Sequence, residues 1–210
     1  MEDKLVLTDF IRIMLNLNKT VQDNVKYLSE LDSVIGDGDH GVTIARGFKS
    51  ALKKIDEDSP ESISDLLKKV GFALINNMGG ASGPIFGSIF TEMAKKVEGL
   101  EYVDLDILYN MFLSVLDNEP NLGGAKPGDK TMIDSLAPTV ASLKKSLNSK
   151  LSIKEALKNA SKSAEEGAVS TKDMIAKKGR SRYLKERSLG YQDAGATTFY
   201  LIVKSIYESV

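Results

Sequence analysis

The sequence predicts an all-α fold of about eight helices. Three observations carry this. Apolar residues recur at helical spacing, as in Met132, Leu136, Val140, Leu143 and Leu147, which stripe one helix face. Strict alternation of apolar and polar residues over a strand length is hard to find. Glycine-dense stretches punctuate the periodic ones. The composition agrees: of 210 residues, 42% are hydrophobic and 27% charged, ordinary values for a folded domain. The length suits a single domain over residues 1–210.

Taken in order, helices are expected over residues 4–17, 20–32, 41–56, 62–77, 84–98, 104–117, 131–148, 152–166 and 196–209. Ile63, Leu67, Val70 and Leu74 form one apolar stripe; Phe199, Ile202, Val203 and Ile206 form another. The run TTFYLIV (197–203) is β-branched enough to suit a strand. Its apolar pattern nevertheless continues helically to Ile206. Four segments interrupt the helices: Gly36–Gly41, Gly79–Pro84, Asn118–Lys130 and Gly179–Gly195. Bundle connections need only a few residues, and longer ones are often functional.

Several function classes drop out at once. Lys and Arg number 28 against 29 Asp and Glu, a formal net charge of −1, so no globally basic nucleic-acid binder is expected. There is no Cys and only one His, His40, so any metal site must rest mainly on oxygen ligands. No stretch is long and apolar enough to span a membrane. The first residues, MEDKLVL, carry acids where a secretory signal needs basic residues. A cytoplasmic protein is expected.

The most informative segment is LDSVIGDGDHG (31–41). Gly36 to Gly41 matches G-x-G-x-x-G, but a dinucleotide site needs a preceding strand, and YLSELDSVI reads as the end of a helix. Two aspartates inside the loop would also repel a pyrophosphate without a cation between them. A calcium loop fails as well: counted from Asp37, position 12 is Phe48 rather than Glu, and counted from Asp32, positions 3 and 5 are Val34 and Gly36. What remains is a nest of three carboxylates, Asp32, Asp37 and Asp39, for a hard cation such as magnesium. Asp39 also stands where a helix N-cap belongs, and the N–H groups of His40 to Thr43 would then open a helix able to receive phosphate.

The other glycine segments are less specific. In Gly79-Gly-Ala-Ser-Gly-Pro84, Ser82 suits a helix cap and a phosphate contact, and Pro84 an early helical position. Gly123 to Thr131 comes within one residue of a nucleotide-binding P-loop, but Asp129 stands where the phosphate lysine belongs and no strand precedes it. Asp129 and Lys130 remain candidates to orient something at the site, Lys130 with a smaller effect than Arg180. Residues 177–187, KKGRSRYLKER, form a basic run. Such a run usually makes a solvated face; it also suits a phosphate clamp, since Arg fits phosphate in two-pronged fashion.

Together and in this order, LDSVIGDGDHGVTIARGF (31–48), GGASGPIFGSIF (79–90), AKPGDKTMIDSLAP (125–138) and KKGRSRYLKERSLGYQDAGATT (177–198) resemble the nucleotide-binding L subunit family of bacterial dihydroxyacetone kinases. The resemblance implies an eight-helix antiparallel barrel, with the nucleotide at one rim formed by the glycine-rich inter-helix loops. It implies two magnesium ions held by Asp32, Asp37 and Asp39, and ADP or ATP as coenzyme. By position, His40, Gly41, Val42 and Thr43 match phosphate contacts, as do Ala81 and Ser82. Gly124 and Met132 match the adenine side; Arg180, Asp193, Ala194 and Gly195 match a closing segment over the nucleotide.

Two positions depart from the family pattern G-H-Q-D-P-G: Tyr191 and Ala194 stand where His and Pro are common. The resemblance covers the nucleotide domain, and no ketone-binding domain like that of ATP-dependent relatives is expected. The chain therefore resembles the form that works with a separate dihydroxyacetone-binding subunit and a phosphotransferase-system phosphodonor subunit. A kinase subunit using free ATP on a short ketose is the nearest alternative. A nucleotide-sensing partner of a transcription regulator is a different class, and the intact Asp trio argues against a purely regulatory role. A fatty-acid-kinase-like domain would carry DGDTG where this chain has DGDHG.

Overall fold

The computed structural model describes residues 3–118 and 123–210. Residues 1–2 and 119–122, the latter inside the third glycine-dense segment, lie outside the described residues. Nine α-helices stand among the described residues: α1 (Leu7–Asp23), α2 (Val25–Ile35), α3 (His40–Glu57), α4 (Ile63–Asn77), α5 (Ser82–Lys96), α6 (Leu105–Asp117), α7 (Ile133–Asn148), α8 (Ile153–Ser170) and α9 (Ala194–Glu208). Sequence periodicity did not signal a two-residue antiparallel pair, β1 (Leu5–Val6) with β2 (Tyr102–Val103), or two 3-10 turns at Thr171–Asp173 and Ser181–Ser188. Two residues per strand are too few to show alternation.

The first joint also differs from expectation. The helical period runs through the polar Asn18-Lys19 to Val21, which is buried, and the break comes at Asn24. There the Asn24 amide donates to the Thr20 carbonyl (2.7 Å) and ends the helix. TTFYLIV is helical within α9, as its continuation to Ile206 requires.

Packing runs around a closed ring: α1–α3–α4–α5–α6–α7–α8–α9 and back to α1, with α2 continuing α1 beside α3 and α9. The eight staves form an antiparallel barrel around one apolar cluster that includes Leu17, Phe48, Leu67, Phe90, Phe112, Leu143 and Phe199. Edge-to-face aromatic contacts, Phe48–Phe90 (5.9 Å) and Phe112–Phe199 (6.4 Å), tie staves that are not neighbours in the ring, α3 to α5 and α6 to α9. Helices α4 and α5 meet through Gly71 and Gly87, where any side chain would strike the facing backbone. Pro138 lies inside α7, where it denies the Asp134 carbonyl its helical donor. Gly167 of α8 packs its bare backbone against that same carbonyl.

Alternating direction sorts the connections between two ends. The turns α3–α4, α5–α6 and α7–α8 share one end with β1 and β2. The connections α2–α3, α4–α5, α6–α7 and α8–α9 share the other, and these are the four glycine-dense segments.

Candidate functional site

The glycine rim gathers the carboxylates first. Asp32 lies in the last turn of α2, and Asp37 and Asp39 lie on the short connection to α3. One oxygen from each lies within 4.8 Å of the others. Asp32 is half-buried; Asp37 and Asp39 are exposed. Gly38 makes the turn at φ 77°, in the left-handed region that suits glycine. Asp39 occupies the N-cap position of α3, but its side chain accepts no helix N–H, so its carboxylate remains free for a ligand. An oxygen-only donor set of three convergent carboxylates fits a hard divalent cation such as magnesium.

The start of α3 has a specific arrangement. The His40 N–H donates to Asp32 Oδ2 (3.3 Å), and the Thr43 N–H to the Asp39 carbonyl (2.9 Å). The N–H groups of Gly41 and Val42 have no helical partner. The side chain of His40 turns inward: Nε2 bonds Thr198 Oγ1 of α9 (2.8 Å), and the ring meets Phe86 edge-on. Burial holds the imidazole below its ordinary pKa, against the pull of Asp32 and of the Ala194 backbone. His40 thereby joins α3 to α9. Gly41 has a packing reason of its own, since a Cβ there would strike the Val25 carbonyl of α2. Val42 is exposed and Thr43 buried.

The second loop lies beside the first turns of α3, where Arg46 donates to the Asn77 carbonyl (2.8 Å). Ser82 is the first residue of α5, and Ala81 precedes it with no side-chain cap. The expectation that Ser82 caps the helix is therefore corrected: the helix starts two residues earlier than read, because Pro84 fits inside its first turn.

On the far side of the rim, Met132 is buried at the start of α7, and Gly195 lies beside its backbone N. Gly124 is half-buried, next to Lys178, whose ammonium donates to the Gly123 carbonyl (3.2 Å). Asp193 caps α9 by accepting from the Ala196 N–H (2.7 Å). Burial pushes its carboxyl up to about 6, with the helix N–H and Lys130 acting in the opposite direction. Ala194 is buried and Tyr191 exposed.

The basic run after α8 is no uniform face. Lys177 faces Asp129 (3.4 Å), Arg182 lies over the Tyr183 ring, and the Arg180 guanidinium pairs with Asp37. Arg180 thus joins the segment between α8 and α9 to the acidic loop. Lys130 is buried, its ammonium bonded to main-chain carbonyls of residues 171–191, a place incompatible with a P-loop lysine.

Sequence reading missed Asp134, which accepts from the Gly128 N–H (2.5 Å) and the Thr131 N–H (2.8 Å). Its signal was present: Thr131-x-x-Asp134 is a capping-box pattern, and Thr131 Oγ1 accepts from the Ile133 N–H (3.2 Å). Thr198, the partner of His40, carried no signal beyond its place on a helix.

A rim of glycine turns, a carboxylate trio and a basic segment meeting that trio on an α-helical barrel is a specific combination. The DAK2 domain family matches residues 34–208. The chain belongs to the DAK2 domain family. It is 42% identical over 181 residues to the PEP-dependent dihydroxyacetone kinase, ADP-binding subunit DhaL, of Escherichia coli, covering 86% of each chain. It is 34% identical over 199 residues to the corresponding subunit of kinase 1 of Listeria innocua, covering 95% of this chain and 94% of that one. Among solved structures, the dihydroxyacetone kinase of C. freundii in its native form aligns at TM-score 0.73 and 27% identity, over 96% of this chain and 34% of that chain. The same enzyme in complex with AMP-PNP and Mg2+ aligns at TM-score 0.73 and 25% identity, over 100% of this chain and 35% of that chain. This DAK2 domain therefore spans about a third of the C. freundii chain. No helix among its described residues is long and apolar enough to cross a membrane.

Proposed function

We propose that the protein is the nucleotide-holding phosphoryl-transfer subunit of a dihydroxyacetone kinase. Residues 1–210 act as one nucleotide-binding domain in the cytoplasm. A phosphotransferase-system donor subunit supplies the phosphoryl group, a separate subunit holds dihydroxyacetone, and ADP and ATP alternate on this chain. Support comes from the DhaL relatives, which match over most of their own length. The observation that carries the reading is the convergence of Asp32, Asp37 and Asp39 beside the uncapped start of α3.

Asp32, Asp37 and Asp39 would hold magnesium, two ions in the family pattern. Bound with the nucleotide, magnesium supplies charge neutralisation, the main requirement of phosphoryl transfer. The first turns of α3 (His40 to Thr43) and α5 (Ala81, Ser82) offer backbone N–H groups and partial positive charge to phosphate. Gly124 and Met132 border the adenine. Arg180, with Asp193, Ala194 and Gly195 behind it, closes the rim and excludes water. No side-chain nucleophile is required.

The test is to purify the protein without added nucleotide, denature it, and assay the supernatant. Near-stoichiometric ADP with magnesium is expected. An empty protein that binds ATP only weakly would reject a retained coenzyme.

A further inference from the structure

Lys130 stands outside every role assigned above. It is 1% exposed, and its backbone lies at φ 62°, in the left-handed region. Its ammonium donates to four main-chain carbonyls: Thr171 (2.7 Å), Met174 (3.2 Å), Ser188 (2.7 Å) and Tyr191 (2.5 Å). Three N–H bonds serve four acceptors, so at least one is shared. Burial lowers the pKa of this ammonium, and the charges of Asp193 and Asp173 act against that.

The four carbonyls are spread along one excursion of the chain. Thr171 follows the end of α8, and Tyr191 comes just before the cap of α9. Met174 lies on the outgoing leg and Ser188 on the returning one. The same legs are joined by Gly190 N–H to the Lys172 carbonyl (2.8 Å), Ala176 N–H to Ser188 Oγ (2.9 Å) and Asp193 N–H to Thr171 Oγ1 (2.9 Å). Arg180 sits at the far end of this excursion and pairs with Asp37. Convergent carbonyls of this kind are the surroundings of a bound metal cation; here a side chain of the neighbouring loop supplies the charge.

We propose that Lys130 is a positioning residue, an internal cation that gathers residues 171–193, holds Arg180 over the carboxylate loop and so slows the departure of nucleotide. The last clause rests on the function proposed above; the gathering of the segment does not.

Two variants remove the cation. Lys130→Met keeps the length of the side chain, and Lys130→Gly suits the positive φ. Amide hydrogen exchange on the whole nucleotide-free chain should accelerate about tenfold or more within residues 172–192 and stay unchanged in α3 to α6. In Lys130→Gly, added propylammonium should restore slow exchange, and propanol should not. Release of fluorescent ADP should quicken about tenfold in either variant. Arg180→Ala should quicken release in the wild type and add nothing in the Lys130→Met background.

Unchanged local exchange would overturn the proposal. So would loosening spread evenly over all helices, or additive effects of Lys130→Met and Arg180→Ala. If Met and Gly prevent folding, Lys130→Gln removes the charge and keeps a shorter donor. It should still loosen 172–192, and unaltered exchange there would be equally fatal. Failure of the wild type to retain ADP would overturn the nucleotide reading and the release clause, while the exchange data would still judge the cation.

Discussion

The two ends of the barrel start their helices differently. At the end that carries β1 and β2, three of the four helix starts have a side-chain cap: Ser62 accepts from the Asp65 N–H (3.1 Å), Asp104 from the Ile107 N–H (2.9 Å), and Ser152 from the Glu155 N–H (3.2 Å); at the fourth, α1, Val6 cannot cap, and its own N–H donates to Asp9 (2.9 Å). Lys69 adds ion pairs to Asp65 (2.8 Å) and Asp58 (3.2 Å), which hold both carboxyls below their ordinary range. At the rim, Asp193 caps α9, whereas the N-cap side chains of α3, α5 and α7 accept no helix N–H; Asp32 and Thr131 instead accept from the first N–H of α3 and of α7. Of these three, α3 and α5 are the starts proposed above to meet phosphate. An uncapped helix start forgoes about 1 kcal/mol of stability and keeps N–H groups and dipole charge available to an anion. Side chains of the N-cap residues stabilise most helix starts at one end of the barrel and only one at the other.

The largest expected effect tests the rim. Asp37→Asn should lower phosphoryl transfer by about 10²–10³-fold, measured with donor and ketone-binding subunits present. Its thermal midpoint should barely move, because the exposed pair with Arg180 is worth only about 0–1 kcal/mol. Wild-type rates would remove Asp37 from the metal site. Placing a carboxylate at an uncapped start comes next. Ala81→Asp should weaken ADP binding about tenfold through like-charge repulsion, read by titration calorimetry; unchanged affinity would mean that α5 does not face phosphate.

Asp193 sharpens the contrast among the rim caps. Its folded-state pKa, about 6, lies above the ordinary 3.8. Its contribution to stability is therefore fully present below about pH 4 and declines as pH rises through 6. Between pH 4.5 and 7.5, nucleotide-free wild type should lose about 1–2 kcal/mol relative to Asp193→Asn in urea unfolding. A constant difference would show that the carboxyl is not displaced. Smallest is the far-end cap: Ser152→Ala should cost about 1 kcal/mol and leave ADP binding untouched. A change in binding would contradict the separation of the two ends.

The periodic stripes of α4, α7 and α9 made the all-α class legible, since burial of one face per helix is written directly in residue spacing. The carboxylate trio was legible for a similar reason: Asp32, Asp37 and Asp39 fall within eight residues, among Gly36, Gly38 and the nearby Gly41, so local chain geometry alone draws them together. The break at Asn24 was misplaced because a polar pair at 18–19 mimics a helix end, whereas packing of Val21 decides it. The place of Lys130 was not legible. Its four acceptors are backbone carbonyls 41 to 61 residues away, and a carbonyl leaves no trace in residue type.

The sequence by itself thus determined the helices, the glycine turns and the acidic nest, all of which depend on neighbours within a few residues. Only the tertiary structure decided which helix starts stay uncapped, which way His40 turns, and that Arg180 meets Asp37. Those outcomes depend on how the ring of staves closes, which brings together groups as far apart as His40 and Thr198, 158 positions along the chain.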